Sequence, residues 1–248
     1  MLKHIILSAL LAVSTIGIQA QSAIELAEDL FSNIKLGYDY QEYKVALANM
    51  SYDSLLIELD NDQKKTAFWV NIYNSFAQIQ LSEASTPVSK YAFFRKEFIQ
   101  IAGKSFNLNR IEHGILRYSK IVWARGISKP FPAQYEKDLR VDNPDYRIHF
   151  ALNAGAVSAP PIYYYEVEEL DKQLHQAEEG FINTTTTYNE SENTVEVSKI
   201  FGWYRKDFGG KSGILGLLKK YNKVPADKEP KLVFRKYDWT TKPKQYQE

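Results

Sequence analysis

The 248-residue sequence contains no cysteine. That excludes thiol catalysis, iron–sulfur clusters, disulfides and cysteine-ligated zinc. Histidine is scarce: there are four, and only His113, His149 and His175 follow residue 20. The His-Glu-x-x-His pattern is missing and His175 falls on a helix face that reads as solvated. A zinc site therefore has weak support, and no metal or other cofactor is implied. A phosphate-binding glycine pattern and a Gly-x-Ser-x-Gly turn are also missing, as are internal repeats. Neither charge sign is in excess, with 31 Lys+Arg against 30 Asp+Glu. A general nucleic-acid binder needs surplus cations to displace counterions, so neutrality argues against one, and against a polybasic membrane-surface protein.

Beyond residue 20 no segment is long and apolar enough to span a bilayer. Residues 1–20 have the layout of a secretory signal peptide: Lys3 and His4, then an apolar run from Ile5 to Ile18, then the small residue Ala20. The alternative is an uncleaved N-terminal anchor. No cysteine follows the run, so lipid attachment there is excluded. Export to the periplasm or the extracellular space is expected, with no membrane span after cleavage. Removing Lys3 leaves 30 cations against 30 anions. Residues 21–248 can bury a core as one domain, or at most two closely fused ones. Tyrosine is abundant, at 17 residues, and its apolar body with a polar tip suits both ordinary packing and groove walls.

Ser22 and Glu25 form a capping-box pattern, and Ile24, Leu26, Leu30, Phe31 and Ile34 follow helical spacing up to Gly37. Further helices are predicted over Tyr43–Met50 and Ser54–Leu59. Asp62 to Ala84, closed by Pro87, is apolar on nearly every side and predicts a central buried helix. Residues 98–101 and 104–108 alternate around Ala102-Gly103 and predict a hairpin. Asn109 is expected to cap a helix from Arg110 to Tyr118. Residues 124–147 read as a long surface loop with a short helical turn, and Ile148–Leu152 as a buried strand. Later come an amphipathic helix over Asp171–Asn183, strands over Thr184–Tyr188 and Thr194–Val197, helices over Ile200–Phe208 and Ile214–Tyr221, and a strand over Leu232–Tyr237. The tail after Trp239 is polar and expected to fray. Helices outnumber strands, and the strands are grouped. The expected fold is a helix-rich α+β single domain with a small, mainly antiparallel sheet.

Several polar residues stand out against these apolar patterns. Asn71 and Asn74, one turn apart on the buried helix, either tie down a neighbouring backbone or line a polar cleft. Glu112 and His113 are neighbours, so an α-helix would point them ~100° apart. His113 and Arg117 can share a face. His149, in its apolar stretch, is the best candidate for a general base, and a bonded core histidine is the competing reading. Ser158 is the nearest hydroxyl but reads as a turn residue.

Four motifs in order make the chain resemble the family known as domain of unknown function 547. They are Phe68–Asn74, Ile111–Arg117, Arg147–Ile162 and Ser198–Phe208, with Tyr237-Asp238-Trp239 as an echo near the end. The similar region runs from about 62 to 208. Members of that family often carry cysteines in the loop after the histidine stretch, where this chain has Ala154 and Ala159. The resemblance leaves three implications. A family thiol nucleophile is lost here, a family disulfide is lost at a cost of roughly 2–4 kcal/mol, or chemistry rests on Glu112, His113 and His149.

Three functions follow. The leading one is a cleft walled by Asn71, Asn74, Glu112, His113, Arg117 and His149 that binds a small molecule, peptide or glycan, in an exported, degenerate hydrolase-like protein. An active cell-envelope hydrolase using His149 or His113 with a metal or Ser158 is the second. A purely structural or interaction domain is the third.

Overall fold

A computed structural model describes residues 21–84, 89–121 and 126–247. The proposed signal segment, Pro87 and residues 122–125 lie outside the described residues. The first helix, α1 (Ala23–Leu36), starts as its sequence dictates. Ser22 accepts from the Glu25 backbone, Glu25 accepts in return from the Ser22 backbone, and Gly37 closes the helix at φ 78°. Helices α2 (Gln41–Asn49) and α3 (Tyr52–Glu58) follow, and then α4 (Asp62–Glu83), capped by the Asn61 side chain. Thr66 to Gln80 of α4 are all buried. Phe68, Trp69, Tyr73 and Phe76 are almost completely removed from solvent, each worth about 1.5–3 kcal/mol of burial.

Next, α5 (Lys90–Arg95) leads into the hairpin of β1 (Ile99–Ile101) and β2 (Lys104–Phe106). Ala102 (φ 48°) and Gly103 (φ 69°) supply its left-handed turn. The expected helix over 110–118 is instead a π-helix, Arg110–Leu116. Asn109 does not cap it. Asn109 is itself helical in backbone, and the side chain of Asn107 accepts from the Arg110 N–H at 2.8 Å.

The expected loop over 124–147 contains α6 (Gln134–Leu139), where Glu136 and Leu139 are buried. The expected strand at 148–152 is a 3₁₀ helix, Tyr146–Phe150. Asp145 starts it by accepting from the Arg147 N–H, a local bond that competes with extended pairing. A short apolar run does not distinguish the two conformations by periodicity alone. After α7 (Leu170–Thr185), which takes in Thr184 and Thr185 from the expected strand, β3 (Thr187–Asn189) pairs antiparallel with β4 (Thr194–Val197). Helices α8 (Lys199–Trp203) and α9 (Gly210–Lys220) precede β5 (Lys231–Phe234), which lies parallel to β4. The fold is helix-rich α+β, with two small sheets rather than one.

Two hydrophobic clusters form. The first gathers α1 to α5, the hairpin and the π-helix around α4. The second joins Phe150 and the later half of α7 to β4, α8 and α9. The tail does not fray. Val157 N–H donates to Thr240 O at 2.9 Å and Ile162 N–H to Gln245 O at 2.8 Å, while the Tyr246 ring meets Phe31 edge-on. These bonds strap residues 238–247 along the 156–162 loop.

Candidate functional site

The π-helix sets the site. Glu112 and His113, neighbours on it, both line one hollow, with His113 Nδ1 3.7 Å from Glu112 Oε1. Neighbouring residues of a π-helix still point far apart, so the two side chains reach one hollow through their own torsions; π-helical turns are frequent at functional sites. Two left-handed residues, Tyr118 (φ 54°) and Ser119 (φ 57°), then reverse the chain. The reversal brings Lys120 back to the same place.

Arg117 and Asp207 form the hub. Arg117 Nε donates to Asp207 Oδ2 at 2.8 Å, Lys120 Nζ to Oδ1 at 2.7 Å, and His149 Nε2 meets Oδ2 at 2.9 Å. Arg117 also donates through Nη1 to His113 Nδ1. A guanidinium can only donate, so His113 Nδ1 is an acceptor and its proton sits on Nε2. The Tyr204 hydroxyl donates to Glu112 Oε1 at 2.5 Å. The Tyr204 ring stacks on His149 with centroids 3.7 Å apart, and the Arg117 guanidinium lies 4.7 Å above that ring.

Electrostatics follow from this packing. Burial pushes the His113 imidazole down to about 4, with Arg117 and His149 adding to the effect against Glu112 and Asp207. Burial also lowers His149, although Asp207 opposes it. Both rings are therefore neutral at neutral pH. Burial alone would raise Glu112, but neighbouring positive charge and the Tyr204 hydroxyl hold it below its ordinary value. With the imidazoles neutral, Arg117 and Tyr204 carry that stabilisation. Burial would raise Asp207 likewise, and its bonds to His149 and Arg117 pull it far down instead. Glu112 and Asp207 are thus anions; Arg117 and Lys120 pair with Asp207, and the Tyr204 hydroxyl bonds Glu112.

A cleft of about 1190 Å³ opens above this floor. Glu112, His113, Arg117, Tyr204 and Asp207 belong to its lining, while α5, β5 and Trp239 from the strap build the walls. Three polar valences of the floor have no hydrogen-bond partner among the described residues: Glu112 Oε2, His113 Nε2–H and Arg117 Nη2. The floor can accept one bond and donate others.

The remaining expected site residues lie elsewhere. His149 is 3 % exposed and sits behind Tyr204 and Asp207, outside the lining. Asn71 and Asn74 do not wall the cleft. Asn71 exchanges two bonds with the backbone of Tyr165, and Asn74 bonds Ala151 O and Asn153 N. Ser158 Oγ accepts from Asp238 N–H at 2.9 Å and so anchors the strap. Ala154 and Ala159 are not in the lining either, and Ala154 packs against the first hydrophobic cluster. No group of three or more His, Asp or Glu side chains among the described residues is arranged to hold a metal ion.

The family described as "Protein of unknown function, DUF547" matches residues 56–182, just over half the chain. The protein belongs to that family. No curated protein and no solved structure matches the chain. Within this DUF547 protein the matched span supplies the π-helix and His149, and it ends before Tyr204 and Asp207. Those two residues lie in the Ser198–Phe208 motif, and no role for them was read from the sequence. The available signal was an aspartate three residues after a tyrosine at a helix end, among aromatic residues that otherwise read as core.

Proposed function

We propose that this DUF547 protein is an exported ligand-binding domain, formed by residues 21–248 after removal of residues 1–20, whose cleft takes an extended anionic ligand. The observation that carries this reading is the charge around the cleft. Lys90, Arg95, Lys199, Arg205 and Lys206 line it, and none forms an ion pair with a carboxylate among the described residues. The acidic lining residues there are Glu112 and Asp207, and Asp207 already has three partners. A chain with a net charge of only +1 thus concentrates unpaired cations at one concavity. Clefts lined by one sign focus the field and attract the opposite charge. The volume exceeds the roughly 300–1,000 Å³ of ordinary small-molecule pockets, which favours an extended ligand.

Acid–base hydrolysis fits less well. General acid–base groups work best with a pKa near the operating pH. Here Glu112, His113, His149 and Asp207 are all shifted below neutrality. Ser158, the candidate nucleophile, is tied to the strap.

Tryptophan fluorescence titrated with tetragalacturonate, hexaglutamate and tripolyphosphate tests the proposal. At least one polyanion binds, and Lys199→Glu/Lys206→Glu weakens it by about tenfold or more. Absence of binding by all three, or indifference to charge reversal, contradicts it.

A further inference from the structure

The cleft offers more than positive charge, and the combination narrows the ligand. This step rests on the anionic-ligand reading above. At the mouth Trp203 and Trp239 lie with ring centroids 5.6 Å apart and 31° between planes, and they remain 40 % and 36 % exposed. Tyr237 packs against both, its ring centroid 4.8 Å from that of Trp203 and 4.5 Å from that of Trp239, and the exposed part of the indoles leaves apolar surface in the cleft lining. Lys90 Nζ stands 3.5 Å from the Trp239 ring centroid and 5.5 Å from that of Trp203, so the cation occupies a face of Trp239 and borders Trp203. At the floor Glu112 is only 5 % exposed, lines the cleft, and has Oε2 without a partner among the described residues. A buried carboxylate oxygen is strongly stabilised by a hydrogen-bond donor.

A ligand complementary to all three features carries acidic groups, a ring with an apolar face, and neutral hydroxyl donors. A plain polyanion satisfies the cations but repels Glu112. An acidic peptide offers carboxylates and backbone N–H donors, but its carboxylates sit on flexible side chains and it brings no C–H ring face for the indole. Single-stranded nucleic acid offers rings, base N–H donors and phosphates, but its charge lies on the backbone and not on the ring that stacks, so it does not set an anion at Lys90 beside the indole. An acidic oligosaccharide has all three: C–H faces for indole, carboxylates for Lys90 and its cationic neighbours, and ring hydroxyls for Glu112.

We propose that the cleft is a subsite for an acidic oligosaccharide, with a sugar ring against Trp203, its carboxylate at Lys90, and a ring hydroxyl donating to Glu112 Oε2. Tyr204 and Arg117 are positioning residues here, since they hold the Glu112 carboxylate ionised and oriented.

The test compares tetragalacturonate, cellotetraose, hexaglutamate and a short thymidine oligonucleotide by calorimetry on the full chain, its Trp203→Ala variant and its Glu112→Gln variant. Tetragalacturonate should bind tightest and cellotetraose weakly. Trp203→Ala should weaken tetragalacturonate about tenfold and leave hexaglutamate unchanged. Glu112→Gln should weaken tetragalacturonate and strengthen hexaglutamate, because it removes a like charge as well as an acceptor. That opposite response does not depend on Trp203→Ala folding. If hexaglutamate or the oligonucleotide binds as tightly as tetragalacturonate and both variants treat them alike, the saccharide assignment fails while the anionic cleft stands. If no anion binds, both fail.

Discussion

The Asn71–Asn74 pair and the Glu112–His113–Arg117 set look alike in the sequence: polar residues at turn spacing within apolar helices. Their surroundings separate them. Both asparagines spend the amide oxygen and the amide nitrogen on backbone from residues 151–165. The charged set spends only part of its capacity: among the described residues Glu112 Oε2, His113 Nε2 and Arg117 Nη2 have no partner, and the cleft beside them is lined by cations without a carboxylate partner. Saturated polar groups hold the fold, and residual valence beside a hollow is available to a ligand.

The sharpest way to break this contrast is Asn74→Ala. It strands Ala151 O and Asn153 N–H in a fully buried place, so stability should fall by about 2–4 kcal/mol in urea unfolding. Binding by the folded fraction should not change. A variant of near-wild-type stability that loses binding would move Asn74 into the site.

The second effect is a pH dependence. His113 is held at about 4 in the folded chain, below the value near 6.5 of an exposed imidazole. The unfolded chain therefore binds more protons, so stability is present above about pH 6.5 and is lost progressively towards pH 4. Between about pH 7 and pH 5 His113 contributes a loss of roughly 2 kcal/mol. His149 acts in the same direction, and Glu112 continues it below its ordinary carboxylate range. Chemical denaturation of His113→Gln at both pH values should show a shallower decline. An identical decline would mean that the ring is not buried neutral.

Tyr204→Phe keeps the stack on His149 and removes the hydroxyl from Glu112. About 1–2 kcal/mol should be lost, with a raised Glu112 pKa visible by carboxyl NMR. The smallest stability effect should come from Lys199→Glu/Lys206→Glu, within about 0.5 kcal/mol, since these cations hold no carboxylate partner among the described residues. Its effect belongs to binding alone.

Much of the scaffold is legible from residue order. The capping box at Ser22, the all-round apolar α4 and the Ala102-Gly103 hairpin are local signals with local causes. The family is legible through ordered motifs. Other features depend on distant partners. His149 sits in a 3₁₀ turn because Asp145 bonds backward, and nothing in the apolar stretch 148–152 shows that. That Glu112 and His113 reach one hollow depends on their side-chain torsions and on Arg117 and Tyr204, which bond them. The tail looked free because its partners lie some 80 residues earlier, at 156–162. Asp207 was invisible as a hub because its three partners, Arg117, Lys120 and His149, come from two other segments.

The most direct measurement is calorimetric titration of tetragalacturonate at low and high salt, for the wild-type chain and for Lys199→Glu/Lys206→Glu. Affinity that falls steeply with salt in the wild type, and is weak and salt-insensitive in the variant, is the predicted result. Equal affinity and equal salt response in the two proteins would show that the unpaired cations around the cleft do not take an anionic ligand.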